Sequence, residues 1–285
     1  MLPNFLVIGA PKCGTSSLCH LLGRHPEVFM SRPKEIHFFG RSDPEKTYPW
    51  YESFFSEAHG KKAVGEGSTS YSHPEIIEAC AAQIAERIPA CRLIYMVRDP
   101  VERLESDWKM RRHEGWAAAS VNDAVEQQPS LITLGLYWKN LSVYRRHFPD
   151  EQLLVVFLED FHRDPDAELR RCWQHLRVDP TVVIEGSHRP RNAASGYRSY
   201  GTIASRLRAL PLFAEVKRHL PGWALGMGKS VLTSKVKIDL RWEPEMLARV
   251  AARFEDDSRQ FLEFCGKDAD FWHSAPSRAR ALPPA

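Results

Sequence analysis

The sequence predicts a three-layer α/β fold, with a central, mostly parallel β-sheet flanked by helices, and three observations predict it. Apolar runs of strand length recur along the chain: FLVIGA at Phe5–Ala10, CRLIYMV at Cys91–Val97 and QLLVVFLEDF at Gln152–Phe161. Longer stretches of helical periodicity separate them, and such alternation of strands and helices is the mark of parallel βαβ units. Bulk is the third observation. A chain of 285 residues with 43% hydrophobic content can bury one large core, and residues 1–275 read as a single domain without internal repeats.

Charge and cysteine usage narrow the function classes. A formal net charge of +3 is mild, so no nucleic-acid partner is demanded, although an anionic ligand is favoured. The six cysteines show no CxxC spacing and the twelve histidines no HExxH, so neither a metal site nor a disulfide scaffold is expected. Met1 is followed within a few residues by the first strand, which leaves no room for a secretory leader, and no apolar run reaches membrane-spanning length. The expected location is the cytoplasm.

The first element sets the site. FLVIGA runs into a turn of Pro11, Lys12, Cys13 and Gly14, and a helix then opens with Thr15, Ser16 and Ser17 and ends near Gly23. A strand, turn and helix in this order aim backbone N–H groups and the positive end of a helix dipole at one point, beside a lysine and three hydroxyls. That is a site for a phosphate-like anion. Residues 24–34 read as an irregular return, which delivers EIHFF (Glu35 to Phe39). In extended backbone Glu35 and His37 would share a side, an acid beside a proton carrier. Equally, the aromatics could anchor a loop whose polar groups are only solvated.

The aromatic stretch from Asp43 to His59 suits a short helix or one wall of a pocket. Ala63 and Val64 centre a short strand that ends in Gly65, Glu66, Gly67 and Ser68, and strand ends are where open α/β sheets bind ligands. Pro74 is read as starting a helix through Ile88, with Ile76, Ile77, Ala81, Ile84 and Ala85 as its apolar stripe. The strand Cys91–Val97 ends abruptly in Arg98, Asp99 and Pro100, and the next helix carries Ser106 about two turns in. A fixed guanidinium with a hydroxyl makes a second anion clamp. Alternatively, Arg98 is local scaffolding for Asp99 or Glu102.

Leu136–Phe148 is expected to be helical, Gln152–Phe161 a buried strand, and the segment from Asp164 a helix with Pro165 at its start. From Thr202 to Ser234 the chain is basic, apolar and broken by prolines and glycines, which suits a mobile wall over a ligand or an amphipathic helix on the body. A last helix runs from Pro244 through Phe264. Residues 276–285 read as a disordered tail.

In these residues the chain resembles the sulfotransferases that use 3′-phosphoadenosine-5′-phosphosulfate (PAPS). PKCGTSSL is similar to that family's loop for the donor's 5′-phosphosulfate, and RDPVERLESDW to its segment for the 3′-phosphate. EIHFF resembles the acidic segment of the heparan sulfate branch, and the chain as a whole is also similar to soluble bacterial relatives. The similarity runs in order from Phe5 to about Trp272. It implies a P-loop-like fold.

The resemblance also implies roles. Lys12 matches the lysine that stabilises the leaving bridging oxygen. Cys13, Gly14, Thr15, Ser16 and Ser17 would hold the 5′-phosphosulfate through backbone amides and hydroxyls, and Arg98 with Ser106 would grip the 3′-phosphate. Glu35 matches the base that deprotonates the acceptor, with His37 as its neighbour. Lys235 and Lys237 loosely match a donor-binding loop, with Val236 where the family has glycine. The implied product is adenosine 3′,5′-bisphosphate, the acceptor a hydroxyl or amine of a saccharide or other small molecule, and no metal is required. One departure stands out: Gly67 follows Glu66 where many glycan-modifying relatives have lysine.

Two other classes compete. A P-loop kinase or ATPase needs lysine directly after the loop's last glycine, but Gly14 is followed by Thr15 and the lysine sits earlier, at Lys12. A non-catalytic anion- or glycan-binding module would have no use for Lys12, Glu35, Arg98 and Ser106 together.

Overall fold

The computed structural model describes residues 1–41, 43–188, 199–200, 233–234 and 238–272. Its centre is a five-stranded sheet in which every neighbouring pair is parallel. The order is β2 (Val28–Met30), β3 (Ala63–Gly67), β1 (Phe5–Gly9), β4 (Arg92–Val97), β5 (Leu153–Phe157). Strands β1 and β3 are buried along their whole length, and β4 in all but its first residue. Helices cover both faces of such a sheet, which is why β1 and, after Arg92, β4 read as unbroken apolar runs.

The connections place the ligand crevice. From β1 the chain passes through α1 (Thr15–Leu22) to the edge strand β2, then through α2 (Tyr48–Ser53) back to β3 beside β1. Helix α3 (Ile77–Arg87) then carries it to β4, on the opposite side of β1. Strand order therefore reverses at β1, and the crevice beyond the C-terminal ends of β3, β1 and β4 is the switch point of the sheet.

Helix α4 (Pro100–Glu114) leaves β4 at once, with Pro100 in its first turn and the Asp99 carboxylate accepting from the amides of Val101 (2.8 Å) and Glu102 (3.0 Å). It is followed by α5 (Val121–Gln127), α6 (Ser130–Thr133), α7 (Tyr137–Arg145), α8 (Leu158–Arg163), α9 (Pro165–Leu176) and α10 (Pro244–Phe264). A short antiparallel pair joins β6 (Ser199–Tyr200) to β7 (Thr233–Ser234). The main core surrounds the sheet. A second cluster of Leu104, Trp108, Leu131, Val250 and Phe254 pins one side of α4 against α5, α6 and α10. The side of α4 that carries Glu102, Ser106 and Met110 stays half-buried.

Four boundaries differ from expectation. The stretch 24–34 is not wholly irregular, because Val28–Met30 pairs with β3 as the edge strand. The run from Gln152 is not one strand: it ends at Phe157 and turns into α8, and Leu158 and Phe161 keep the apolar pattern going because both pack on the core. Helix α3 starts at Ile77, not Pro74. Residue His73 is extended (φ −75°, ψ 124°), as a residue before proline prefers, and a turn closed by Ile76 N–H on the His73 carbonyl (3.0 Å) comes first. Helix α7 is shorter than Leu136–Phe148, closing at Arg145. The expectations for residues 202–232, for Lys235 and Lys237, and for the tail 276–285 lie outside the described residues.

Candidate active site

The anion turn is built from two left-handed residues, Lys12 (φ 69°) and Gly14 (φ 88°). A Cβ at Gly14 would stand 2.8 Å from Leu158 Cδ1, so that side-chain end would have to shift. Gly14 is the N-cap of α1 and supplies no capping side chain, so the Thr15 and Ser16 N–H groups have none, while that of Ser17 donates to the Gly14 carbonyl (2.9 Å). Cys13 contributes backbone only. Its N–H bonds the Ala10 carbonyl (3.4 Å), its Sγ lies in the core 3.6 Å from the Tyr137 hydroxyl, and burial pushes the thiol up to about 11. Thr15 is buried, Ser16 exposed and Ser17 half-buried.

Lys12, Arg98 and Ser106 come together along the half-buried side of α4. The Lys12 ammonium reaches Met110 Sδ (3.5 Å), one turn beyond Ser106. Arg98, at the end of β4, pairs through Nη2 with Glu102, one turn before Ser106. Burial works against the Arg98 charge, yet the Glu102 hydrogen bond and charge hold its pKa above the ordinary value. The scaffolding partner expected for Arg98 is therefore present. It does not exhaust the guanidinium: Nε is buried and has no hydrogen-bond partner among the described residues. An orphaned donor aligned with a hydroxyl-bearing helix suits a phosphate oxygen.

Glu35 stands at the end of β3, its N–H donating to the Gly67 carbonyl (3.0 Å). Its segment is not extended, because Glu35 (φ 67°) and His37 (φ 55°) are both left-handed, but the two side chains still meet, with His37 Nε2 3.8 Å from Glu35 Oε2. The carboxylate is held from several sides. Thr69 donates its N–H to Oε2 (2.8 Å) and its hydroxyl to the same oxygen (3.1 Å), and Lys34 pairs with Oε1. The His37 Nδ1 lies 2.7 Å from the Ser70 hydroxyl. Burial lowers the His37 pKa against the opposing pull of Glu35, so the imidazole is neutral at neutral pH.

Sequence reasoning passed over Thr69 and the ion pair of Lys34 with Glu35. The signal was the hydroxyl-rich string Ser68, Thr69, Ser70 directly after a strand end. Gly67 has a packing reason: a Cβ there would stand 2.6 Å from Cys19 Sγ and 3.6 Å from Lys34 Cε. The stem of Lys34 thus passes over the space that a side chain at position 67 would enter.

Glu66 lies beneath, with no exposed surface. It accepts the hydroxyls of Tyr71 (2.5 Å), Ser68 (2.7 Å) and Tyr51 (3.3 Å). Burial outweighs those donors and raises its pKa from 4.5 to about 7. The folded state then holds a proton that the unfolded chain releases, so the contribution of Glu66 to stability is fully present below pH 4.5 and is lost as pH rises through about 7. The expected result is a pH-dependent gap between wild type and Glu66→Gln in urea unfolding. From about pH 5 to about pH 8 it should move in the variant's favour by about 1–3 kcal/mol. A gap independent of pH would contradict the assignment.

Comparisons with known proteins show the family to which the chain belongs. The family model described as "Sulfotransferase domain" matches residues 2–189. Mouse "Heparan sulfate glucosamine 3-O-sulfotransferase 3B1" is 31% identical over 205 residues, which cover 69% of this chain and 51% of that protein. Mouse "Bifunctional heparan sulfate N-deacetylase/N-sulfotransferase 3" is 30% identical over 205 residues, covering 65% of this chain and 21% of that protein. The chain thus spans about half the length, or less, of these curated relatives. Among solved structures, a sulfotransferase from Alicyclobacillus acidocaldarius superposes with a TM-score of 0.67 at 22% identity, covering 96% of this chain and 99% of that one. That likeness shows a shared fold.

Proposed function

We propose, from the premise that this chain belongs to the sulfotransferase family, that it moves a sulfuryl group from PAPS to a hydroxyl or amine of a carbohydrate and releases adenosine 3′,5′-bisphosphate. Two half-sites support the reading, and both follow the C-terminal ends of the sheet's central strands. One is cationic, formed by Lys12, the first-turn amides of α1, Arg98 and Ser106. The other is the carboxylate of Glu35, fixed by Thr69 and Lys34. Sulfuryl transfer needs both: positive charge where the bridging oxygen leaves, and a base where the acceptor attacks from the opposite side.

In this reading Arg98 Nε and the Ser106 hydroxyl take the 3′-phosphate, and the α1 amides with Thr15, Ser16 and Ser17 take the 5′-phosphosulfate. Lys12 carries the charge that develops on the leaving oxygen. Glu35 removes the acceptor's proton, with neutral His37 beside it. A saccharide acceptor is supported by the relatives' names, which include transfer to oxygen and to nitrogen of heparan sulfate. The kinase alternative fits poorly, since the carboxylate that would hold magnesium, Asp99, is 1% exposed and caps α4. All six cysteines are free and five are buried, which supports a reducing compartment such as the cytoplasm. Among the described residues no helix is long and apolar enough to cross a membrane.

Two assays test the reading. Incubation with radiolabelled PAPS and a panel of saccharide, lipid and aryl acceptors should label a saccharide; label on none of the panel would contradict it. Arg98→Ala should weaken binding of adenosine 3′,5′-bisphosphate by roughly tenfold to a hundredfold, the worth of a charged hydrogen bond. Adenosine 5′-phosphate lacks the 3′-phosphate and should be affected far less. Equal weakening of both nucleotides would remove Arg98 from the 3′-phosphate.

A further inference from the structure

Buried beneath the proposed base is a carboxylate that the reaction does not use. Glu66 cannot reach an acceptor, because it has no exposed surface. Its hydroxyl partners lead elsewhere. The Ser68 hydroxyl that donates to Glu66 also accepts the His37 N–H (3.0 Å), and the Tyr71 hydroxyl accepts the N–H groups of Phe38 (3.1 Å) and Phe39 (3.4 Å). Three consecutive amides of the base-bearing segment thus hang from one carboxylate through two hydroxyls.

We propose that Glu66 is a positioning residue for Glu35 and His37, acting through Ser68 and Tyr71 on the backbone of residues 37–39. The segment needs such a hold. Glu35 and His37 both adopt left-handed backbone, which persists in non-glycine residues only where the surroundings over-determine it. A hydroxyl has one proton, and Glu66, once ionised above about pH 7, can only accept. With Glu66 taking both protons, the lone pairs of Ser68 and Tyr71 turn towards the amides. An acid buried deeply enough to titrate near 7 weakens the fold above that pH, so its place here is not explained by stability.

The proposal rests on the reading of Glu35 as the base, and its test separates the two. Glu66→Gln keeps size but puts an amide donor where one acceptor oxygen stood; Tyr71→Phe keeps the ring and removes one hydroxyl. Each variant is measured for kcat, donor KM, calorimetric affinity for adenosine 3′,5′-bisphosphate, and amide hydrogen exchange of a peptide spanning residues 35–39. Both should lower kcat by about tenfold, the scale of one misplaced hydrogen bond, while donor KM and nucleotide affinity stay within about twofold. Amide exchange at residues 37–39 should accelerate. Wild-type kcat with wild-type exchange in the folded variants would overturn the proposal, as would a fall in nucleotide affinity equal to the fall in kcat, the sign of general damage. If Glu66→Gln does not fold, Tyr71→Phe decides by the same criteria. If the wild-type chain transfers no sulfuryl group, the proposed function fails, and the exchange rates still decide whether the relay holds the segment.

Discussion

Glu35→Gln is expected to lower turnover by roughly 10²–10⁴-fold, the usual contribution of a general base, while leaving the affinity for adenosine 3′,5′-bisphosphate unchanged. Glutamine matches glutamate in size, and its carbonyl oxygen can still accept the Thr69 N–H that now reaches Oε2 at 2.8 Å. What it cannot do is take a proton. An acceptor alcohol has a pKa far above neutral and requires a base as it attacks, so the loss appears in kcat and not in donor binding. His37→Ala should cost less. Its imidazole is neutral and already engaged at Nδ1 by Ser70, and it stands 3.8 Å from the carboxylate as a neighbour. Near-normal turnover in Glu35→Gln with an inactive His37→Ala would transfer the base to His37 and leave the sulfotransferase reading intact.

Lys12→Ala is expected to depress kcat by roughly 10²–10³-fold, the scale measured when one preorganised donor to a developing oxyanion is removed. Among the described residues no carboxylate pairs with the Lys12 ammonium, and its hydrogen bond runs to the thioether of Met110, a weak acceptor. The charge is thus available to a ligand. Since its contribution is greatest when negative charge appears on the leaving oxygen, affinity for the nucleotide product should fall much less than turnover. Equal losses in the two would mean that Lys12 only binds the nucleotide. A second contrast comes from Ser106→Ala, which should follow Arg98→Ala in direction because both groups face the 3′-phosphate in this account.

Much of the frame could be read from the sequence because burial on both faces leaves a plain trace. β1 is an unbroken apolar run and β4 is one after Arg92, and the residues that follow them, Lys12 and Arg98, fall at the strand ends that topology makes into a crevice. β2 escaped notice for the opposite reason: three residues between Pro26 and Pro33 carry too little periodicity to register. The run after Gln152 misled because Leu158 and Phe161 stay apolar on entering α8. Pairing of Arg98 with Glu102 was within reach of the sequence, because the residue at the strand end stands just before the first turn of α4, which carries Glu102. The hold on Glu35 was not, since Thr69 is far along the chain and the left-handed backbone at Glu35 and His37 breaks the alternation on which the expected shared side depended. The relay from Glu66 through Ser68 and Tyr71 likewise exists only once the segment has left the ladder.

On the proposed function, the crevice is built for a nucleotide with a phosphate on its 3′-oxygen. Calorimetric titration of the wild-type chain, with chelator and without magnesium, tests it most directly. Adenosine 3′,5′-bisphosphate should bind at least about tenfold tighter than adenosine 5′-phosphate, the least that one charged hydrogen-bond clamp should give. Equal affinity for the two nucleotides, or binding of ATP alone and only with magnesium, would contradict it.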